Sequence, residues 1–250
     1  MSNAPHADML EETARLLAMA DERGVLLRVT GGIAIALHAN EGLPDALRRP
    51  WKDIDFATVK GSTRGVGDLF EAAAYQADRQ FNALNGHRRL LFHDDANGRQ
   101  VDIFVGSFQM CHEIPLTRRL ELEPVTIPLA ELMLTKLQIV ELNEKDQRDI
   151  LALLASHEVG AGDDETINAD LVAQLCAADW GLWRTTRLNV ERTREAIAAY
   201  GLEQAEAARI GARLESLWQR IADEPKPTRW KLRDRVGDRV RWYEEPEEVA

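Results

Sequence analysis

Three aspartates in the first half of the chain have the residue type and spacing for metal chemistry. Asp53 and Asp55 flank a single apolar residue, and Asp102 is the only charge in the run 101–105. In a strand, residues two apart project to the same side, with Cα atoms about 6.6 Å apart. Two carboxylates on one side repel each other, and in a cleft away from water they need a cation between them. If the two strands are neighbours, the three acids predict a magnesium site; otherwise the pair is an exposed strand face.

Two further features suit an anionic ligand. Gly31-Gly32 lies between a predicted strand and a predicted helix, where glycine lets backbone N–H groups approach a phosphate. A tight turn without a ligand would use the same residues. Lys136 falls inside an apolar helical stripe, so its ammonium must reach solvent or an anion. That anion is either a nucleotide phosphate or a carboxylate such as Asp149 of the following helix.

Periodicity predicts the elements that position these residues. Predicted helices cover 8–23, 66–77, 128–143 and 146–157, predicted strands cover 25–29, 54–59, 88–93 and 100–105, and 168–223 is almost entirely helical in pattern. The residues 94–98 have the chemistry of a hairpin turn. The sequence thus predicts an α+β fold, with an α+β domain over 1–158 and a mainly helical C-terminal region over 159–250 that includes a basic tail.

Composition narrows the class of protein. The chain has 250 residues, 45% of them hydrophobic, and a net charge of −11. A packed core is therefore expected, and broad binding to polyanions is disfavoured. No apolar run has the length of a membrane span, no signal peptide is evident, and the two cysteines form no Cys-x-x-Cys pair. We expect a cytoplasmic protein with reduced thiols and no membrane partner.

The tail between Pro225 and Trp242 carries seven Lys or Arg residues against two Asp. Its tryptophans, interleaved with arginines, would suit stacking on RNA. The simpler interpretation, which we favour, is an element docked on the acidic body of the protein. Trp180 and Trp183 are expected to pack the helical region or to form the wall of a pocket.

Two other groups of residues could be reactive or bind a ligand, but each also has a simpler interpretation. Cys111-His112-Glu113 would suit a nucleophile or metal ligand, but no matching ligands accompany it, and a loop after a strand is the plainer prediction. His87, Arg88 and Arg89 come just before a strand and would reach a phosphate there. A solvated strand edge is the expectation that we favour for them.

In combination, the glycine pair, the Asp-x-Asp strand and the third acid resemble the nucleotidyltransferase superfamily, whose fold includes DNA polymerase beta and aminoglycoside nucleotidyltransferases. The resemblance covers roughly residues 20–155. The stretch 128–154, with Lys136, Asp146 and Asp149, is similar to the helical segment of bacterial members, including abortive-infection toxins of toxin–antitoxin pairs. The loop from Gly32 to Asp53 is longer than in many members, which would either shape an acceptor site or place the glycine turn differently.

The resemblance implies a nucleotidyltransferase-like mixed sheet flanked by helices. It also implies transfer of a nucleoside monophosphate from a triphosphate such as ATP to a hydroxyl on a small molecule, a tRNA or a protein. Asp53 and Asp55 would bind one or two Mg²⁺ ions and the triphosphate, and Asp102 would complete the metal site and help to deprotonate the acceptor. Gly31 and Gly32 would hold the phosphates, and Lys136 would neutralise charge on the nucleotide. The alternative is a non-catalytic nucleotide-binding or protein-interaction module that keeps the fold.

Overall fold

The computed structural model describes residues 4–246, and chain packing divides the protein into two compact units. The first, called the sheet unit here, comprises Met1–Leu37, Pro50–Gln109 and Pro115–Pro128. The second, called the helical unit, comprises His38–Arg49, Met110–Ile114 and Leu129–Ala250. The domain boundary predicted after residue 158 stays a prediction, although packing groups the two helices before it with the helices that follow.

Most of the regular structure before residue 110 belongs to the sheet unit. Its strands are β1 (Leu27–Thr30), β2 (Ile54–Thr58), β3 (Gln76–Ala77), β4 (Arg89–Asp94), β5 (Arg99–Val105) and β6 (Ser107–Gln109). Its helices are α1 (Met9–Glu22), α2 (Gly31–His38), α3 (Thr63–Ala72) and α4 (Arg79–Asn85). The last residue of α2 already belongs to the helical unit, and a short strand, β7 (Glu113–Pro115), is divided between the two.

A five-stranded mixed sheet forms the centre of the sheet unit. Its order is β1-β2-β5-β4-β3, in which only β2 and β5 run parallel. Alternate residues of these strands project an apolar face, on which the Phe70 ring of α3 stacks against Phe92 at 4.6 Å and meets Phe56 edge-on at 6.3 Å. Burial of this face against helices drives the fold. The α+β class with a mixed sheet is thereby confirmed.

Local signals at two turns explain where the first strands begin and end. Between β4 and β5, the Asp94 carboxylate accepts the backbone N–H groups of Ala96 and Asn97, and Gly98 takes a φ of +61°, as the hairpin prediction requires. The predicted start of β1 is wrong by two residues. The N–H of Val25 instead donates to the Ala20 carbonyl and closes the end of α1, so the strand begins at Leu27.

The helical unit contains three short 3-10 helices (Asp45–Leu47, Ile197–Tyr200 and Gly237–Arg239) together with the remaining α-helices and strands. These are α5 (Leu129–Leu137), α6 (Glu144–Ser156), β8 (Glu158–Gly160), β9 (Thr166–Asn168), α7 (Ala169–Ala178), α8 (Trp180–Ala196), α9 (Gln204–Asp223) and α10 (Thr228–Val236). Within residues 4–246, no helix is long and apolar enough to cross a membrane.

The prediction of one helix over 128–143 is wrong, because α5 ends at Leu137. The side-chain amide of Asn189 donates to the carbonyl oxygens of Leu137 and Ile139 at 2.9 and 2.6 Å. The Arg192 guanidinium donates to the Val140 carbonyl at 2.9 Å. These donors from α8 satisfy carbonyls that a continuing helix would have paired internally.

Candidate functional site

Strand register brings Asp55 and Asp102 together. They are directly opposed on the parallel strands β2 and β5, and Thr30 opposes Asp55 across β1. Register partners project to the same side of a sheet, with neighbouring strands about 4.8 Å apart. Thr30, Asp55 and Asp102 therefore form one row across three strands, called the carboxylate row here. Asp53 is exposed and immediately precedes β2, so its projection beside Asp55 stays a prediction.

The glycine turn lies against this row. Gly31 follows Thr30 directly and has a φ of +66°, a conformation that L side chains rarely adopt. A Cβ at this position would overlap the Oδ2 atom of Asp55 and would lie 3.0 Å from its Cγ. Only glycine gives the chain both this backbone angle and this close approach to the carboxylate. Gly32 follows in the first turn of α2.

Thr30 is a member of the row that sequence reasoning missed. Its side chain is fully buried, and within the described part of the chain its Oγ1 has no hydrogen-bond partner. A buried hydroxyl without a partner costs about 1–3 kcal/mol. Its register position opposite Asp55 places this buried hydroxyl in the same row as the two acids.

Asp102 is buried and its two carboxylate oxygens have different partners. Oδ1 accepts the Arg89 Nε–H at 2.7 Å, and Oδ2 accepts the side-chain amide of Gln100 at 2.8 Å. The Arg89 guanidinium lies 5.6 Å from the Phe81 ring centroid and 5.4 Å from that of Phe104. The interpretation of Arg89 as part of a solvated edge is wrong, because β4 begins at this residue and buries it.

Lys136 belongs to the helical unit, where carboxylates surround its ammonium. Nζ lies 3.1 Å from Asp146 Oδ1 and 2.9 Å from Asp149 Oδ2. Arg49 also contacts Asp149, with Nε and Nη2 at 2.7 and 2.6 Å from the two oxygens. The carboxylate partner that the sequence offered for Lys136 is therefore present. Its role toward a nucleotide stays a prediction.

Electrostatics stabilises this second cluster in its charged form. Burial disfavours the ammonium of Lys136, but the carboxylates of Asp149 and Asp146 outweigh burial and raise its pKa. Burial likewise opposes ionisation of Asp149, but Lys136 and Arg49 outweigh it and lower its pKa. Two cations and two anions thus form a neutral buried group that ties the loop before β2 and α5 to α6.

The donor chemistry of the carboxylate row fits magnesium, which prefers carboxylate oxygens and retains several waters. Asp55 is half-buried beside the glycine turn, where it offers carboxylate oxygens of the kind that such an ion prefers. Among residues 4–246, no three or more acid, His or Cys side chains already converge as a metal cage. That Asp53, Asp55 and Asp102 hold such an ion stays a prediction; the bonds of Asp102 to Arg89 and Gln100 leave further lone pairs on its oxygens.

The Cys111-His112 motif has the environment of a structural element. Burial raises the pKa of the Cys111 thiol and lowers the pKa of His112. The His112 backbone N–H donates to Gln138 at 2.9 Å, and its Nε2 lies 2.8 Å from the Thr185 hydroxyl. A thiol of raised pKa is a poor nucleophile, so these contacts favour the structural interpretation.

The tail docks through its tryptophans. Trp230 of α10 is buried, and its Nε1 donates to the Cys176 carbonyl at 3.2 Å. Asp234 accepts the Trp180 indole N–H at 2.7 Å, and Trp183 meets the Trp230 ring at 4.9 Å. These contacts lie within the helical unit and favour docking over RNA stacking for the aromatic side of the tail. Trp180 and Trp183 are therefore packing residues, and both also line a pocket with Arg184, so the two expectations for them hold together.

Comparison with known proteins gives no family for the chain: no family model matches it, and no curated protein does.

Proposed function

We propose that the chain is a magnesium-dependent nucleotidyltransferase that moves a nucleoside monophosphate from a nucleoside triphosphate to a hydroxyl acceptor. The observation that carries the proposal is the juxtaposition of Asp55 and Asp102 in register, beside a Gly31 that has no room for a side chain. Paired carboxylates beside a glycine turn suit a triphosphate bound with its metal ion, because the turn donates N–H groups while the acids hold the cation.

Each group then has a role in a single in-line displacement. Asp53 and Asp55 would hold the ion with the triphosphate, and Gly31 and Gly32 would present backbone N–H groups to phosphate oxygens. The acceptor oxygen forms a bond to the α-phosphorus as the bond to pyrophosphate breaks, and the hydroxyl proton passes to a carboxylate of the site. When bound, Mg²⁺ supplies charge neutralisation for the phosphate oxygens. Positioning and electrostatics account for most of the rate in such chemistry.

The acceptor follows the expectations above: a small molecule, a tRNA or a protein. A role as the toxin of a toxin–antitoxin pair belongs to the same proposal. The second candidate is a non-catalytic nucleotide-binding or interaction module. The observation in its favour is that both oxygens of Asp102 already have partners in Arg89 and Gln100.

Label transfer separates the two candidates. The protein is incubated with Mg²⁺ and each α-³²P nucleoside triphosphate, alone and with cellular RNA, small-molecule or protein fractions. We expect label in one acceptor class, lost in Asp55→Asn and retained in Asp68→Asn, whose exposed carboxylate on α3 provides a matched control. Triphosphate binding without transfer to any fraction would favour the non-catalytic module.

A further inference from the structure

The helix α10 docks on the helical unit through one of its faces. Trp230 is buried, the Arg233 guanidinium lies 4.2 Å from the Trp180 ring centroid, and Asp234 accepts the Trp180 indole N–H at 2.7 Å. With 3.6 residues per turn, positions 230, 233 and 234 share one side of a helix. The contacts of α10 with α8 therefore use this side, and the opposite side faces away from them.

The opposite side of α10 combines cations with aliphatic side chains. Leu232 and Val236 are one turn apart and are 55% and 39% exposed. Lys231 and Arg235, also one turn apart, lie on one flank of this aliphatic pair, and Arg229 lies on the other. All three cations are exposed, and among residues 4–246 none of them forms an ion pair. These five residues are called the outer face here.

The acids of the same segment are held elsewhere and do not neutralise the outer face. Asp234 is bonded to Trp180 on the docked side. Asp238 accepts the Arg184 Nε–H and Nη2–H groups at 2.9 and 2.8 Å. Packing therefore separates the charges of the tail, with its carboxylates at α8 and its cations outward. The result is a positive surface on a chain whose net charge is −11.

The composition of the outer face distinguishes between anionic occupants. A phosphate backbone would pair with the cations but would leave Leu232 and Val236 without an apolar contact, and Trp230 is buried on the docked side, out of reach of a base. An anionic bilayer is an extended surface that would also meet the acidic remainder of the chain. A short segment avoids this repulsion, because salt screens charges more than about 8 Å away. A second copy in two-fold pairing would oppose cations to cations.

We propose that the outer face of α10 docks an acidic amphipathic helix of a partner protein. Its carboxylates would pair with Arg229, Lys231 and Arg235, and its aliphatic side chains would cover Leu232 and Val236. The inference goes beyond the proposed function and is independent of it, because the outer face belongs to the helical unit and the carboxylate row to the sheet unit. One side of a nine-residue helix is a small interface, so the complex is expected to be weak and transient.

The test measures binding of a synthetic helix to the whole protein by fluorescence anisotropy. The probe is a fluorescein-labelled peptide of about 18 residues, long enough to span α10, with a leucine stripe flanked by glutamates. A second peptide has glutamine in place of every glutamate and keeps the stripe. We expect the acidic peptide to bind the wild type at micromolar concentrations and the glutamine peptide to bind more weakly, because it lacks the charges that meet the cations.

Two double variants separate the charges of the outer face from the general charge of the protein. Lys231→Gln with Arg235→Gln should weaken binding of the acidic peptide about fivefold, since exposed ion pairs contribute up to about 1 kcal/mol each. Arg64→Gln with Lys145→Gln removes one arginine and one lysine at exposed positions of α3 and α6 and should leave binding unchanged. Unchanged tryptophan emission would show that α10 stays docked in these variants.

A third double variant tests the aliphatic pair. Leu232→Ser with Val236→Ser keeps every charge and should also weaken binding of the acidic peptide. The inference would be overturned if the peptide failed to bind the wild type at about 1 mM. Equal binding by the wild type and the Lys231→Gln, Arg235→Gln variant would overturn it as well. Tighter binding of a uridine oligonucleotide or of phosphatidylglycerol vesicles than of the peptide would assign the face to a polyanion instead.

Discussion

Replacing Gly31 by alanine tests whether the glycine turn is shaped around Asp55. Two costs are expected. An alanine at a φ of +66° costs about 1–2 kcal/mol relative to glycine. Overlap of the new Cβ with the Asp55 carboxylate adds about 1–3 kcal/mol, typical of an overpacked site. Gly24 provides the matched control, because its φ is +65° and a Cβ there would meet nothing within 4 Å.

A double-mutant cycle isolates the overlap. An Asp55→Ala background removes the two nearest atoms, Oδ2 and Cγ, and leaves the Cβ of residue 55 at 3.2 Å from the new methyl, so most of the extra cost should disappear. Gly31→Ala should then cost about the same as Gly24→Ala. Five of the six tryptophans lie in the helical unit, so fluorescence would follow the other unit. Hydrogen exchange of β1 and β2 amides across a urea series is the appropriate assay. Equal costs at Gly31 and Gly24, or a Gly31 cost unchanged by Asp55→Ala, would refute the reasoning.

Three further predictions concern the helical unit. Lys136→Met leaves two carboxylates without their buried ammonium and should lower the free energy of unfolding by about 3–5 kcal/mol, measured by urea unfolding with tryptophan fluorescence. The control Lys145→Met, at an exposed position, should change it by less than about 0.5 kcal/mol. Equal effects of the two variants would contradict the buried network. Burial, with a smaller contribution from His157, lowers the pKa of His38 to about 4. The neutral imidazole therefore contributes fully to stability above pH 6.5, and this contribution is lost as pH falls toward 4, with a slope of at most about 1.4 kcal/mol per pH unit. His38→Gln should flatten the dependence of the unfolding free energy on pH over this range, and an unchanged slope would contradict the assignment. Trp230→Ala should cost about 3–5 kcal/mol and expose α10 to limited proteolysis, whereas unchanged protection would show that the tail docks by other contacts.

The sequence predicted correctly those helices and turns whose determinants lie in residues next to them along the chain. The hairpin turn before Gly98 and the helical stripes of the C-terminal half depend on nearby residues, and the structure has them. The end of α5 depends on Asn189, which lies 52 residues from Leu137 in sequence. No helical pattern near Leu137 contains that donor, so periodicity extended the helix too far.

The candidate site shows the same contrast between features that are visible in the sequence and features that depend on packing. Asp55 and Asp102 interrupt apolar runs, a signal visible in the sequence, and the register sets them side by side. The edge interpretation of Arg89 fails because the partner of this residue lies on the next strand. Counting back from the turn pairs Leu91 with Asp102, which places Arg89 on the same side as that acid, two residues away. Hairpin register was therefore the signal that would have found the ion pair. Thr30 had no such signal, because its missing partner is a property of the packed structure alone.

Calorimetric titration of the wild-type protein with each nucleoside triphosphate tests the proposed site most directly. We expect one triphosphate to bind in Mg²⁺ and to lose binding when EDTA replaces the metal. Asp55→Asn should abolish the binding heat, whereas Asp68→Asn should leave it unchanged. The absence of binding by every triphosphate, or equal binding by the wild type and Asp55→Asn, would contradict the assignment of the carboxylate row as a nucleotide site.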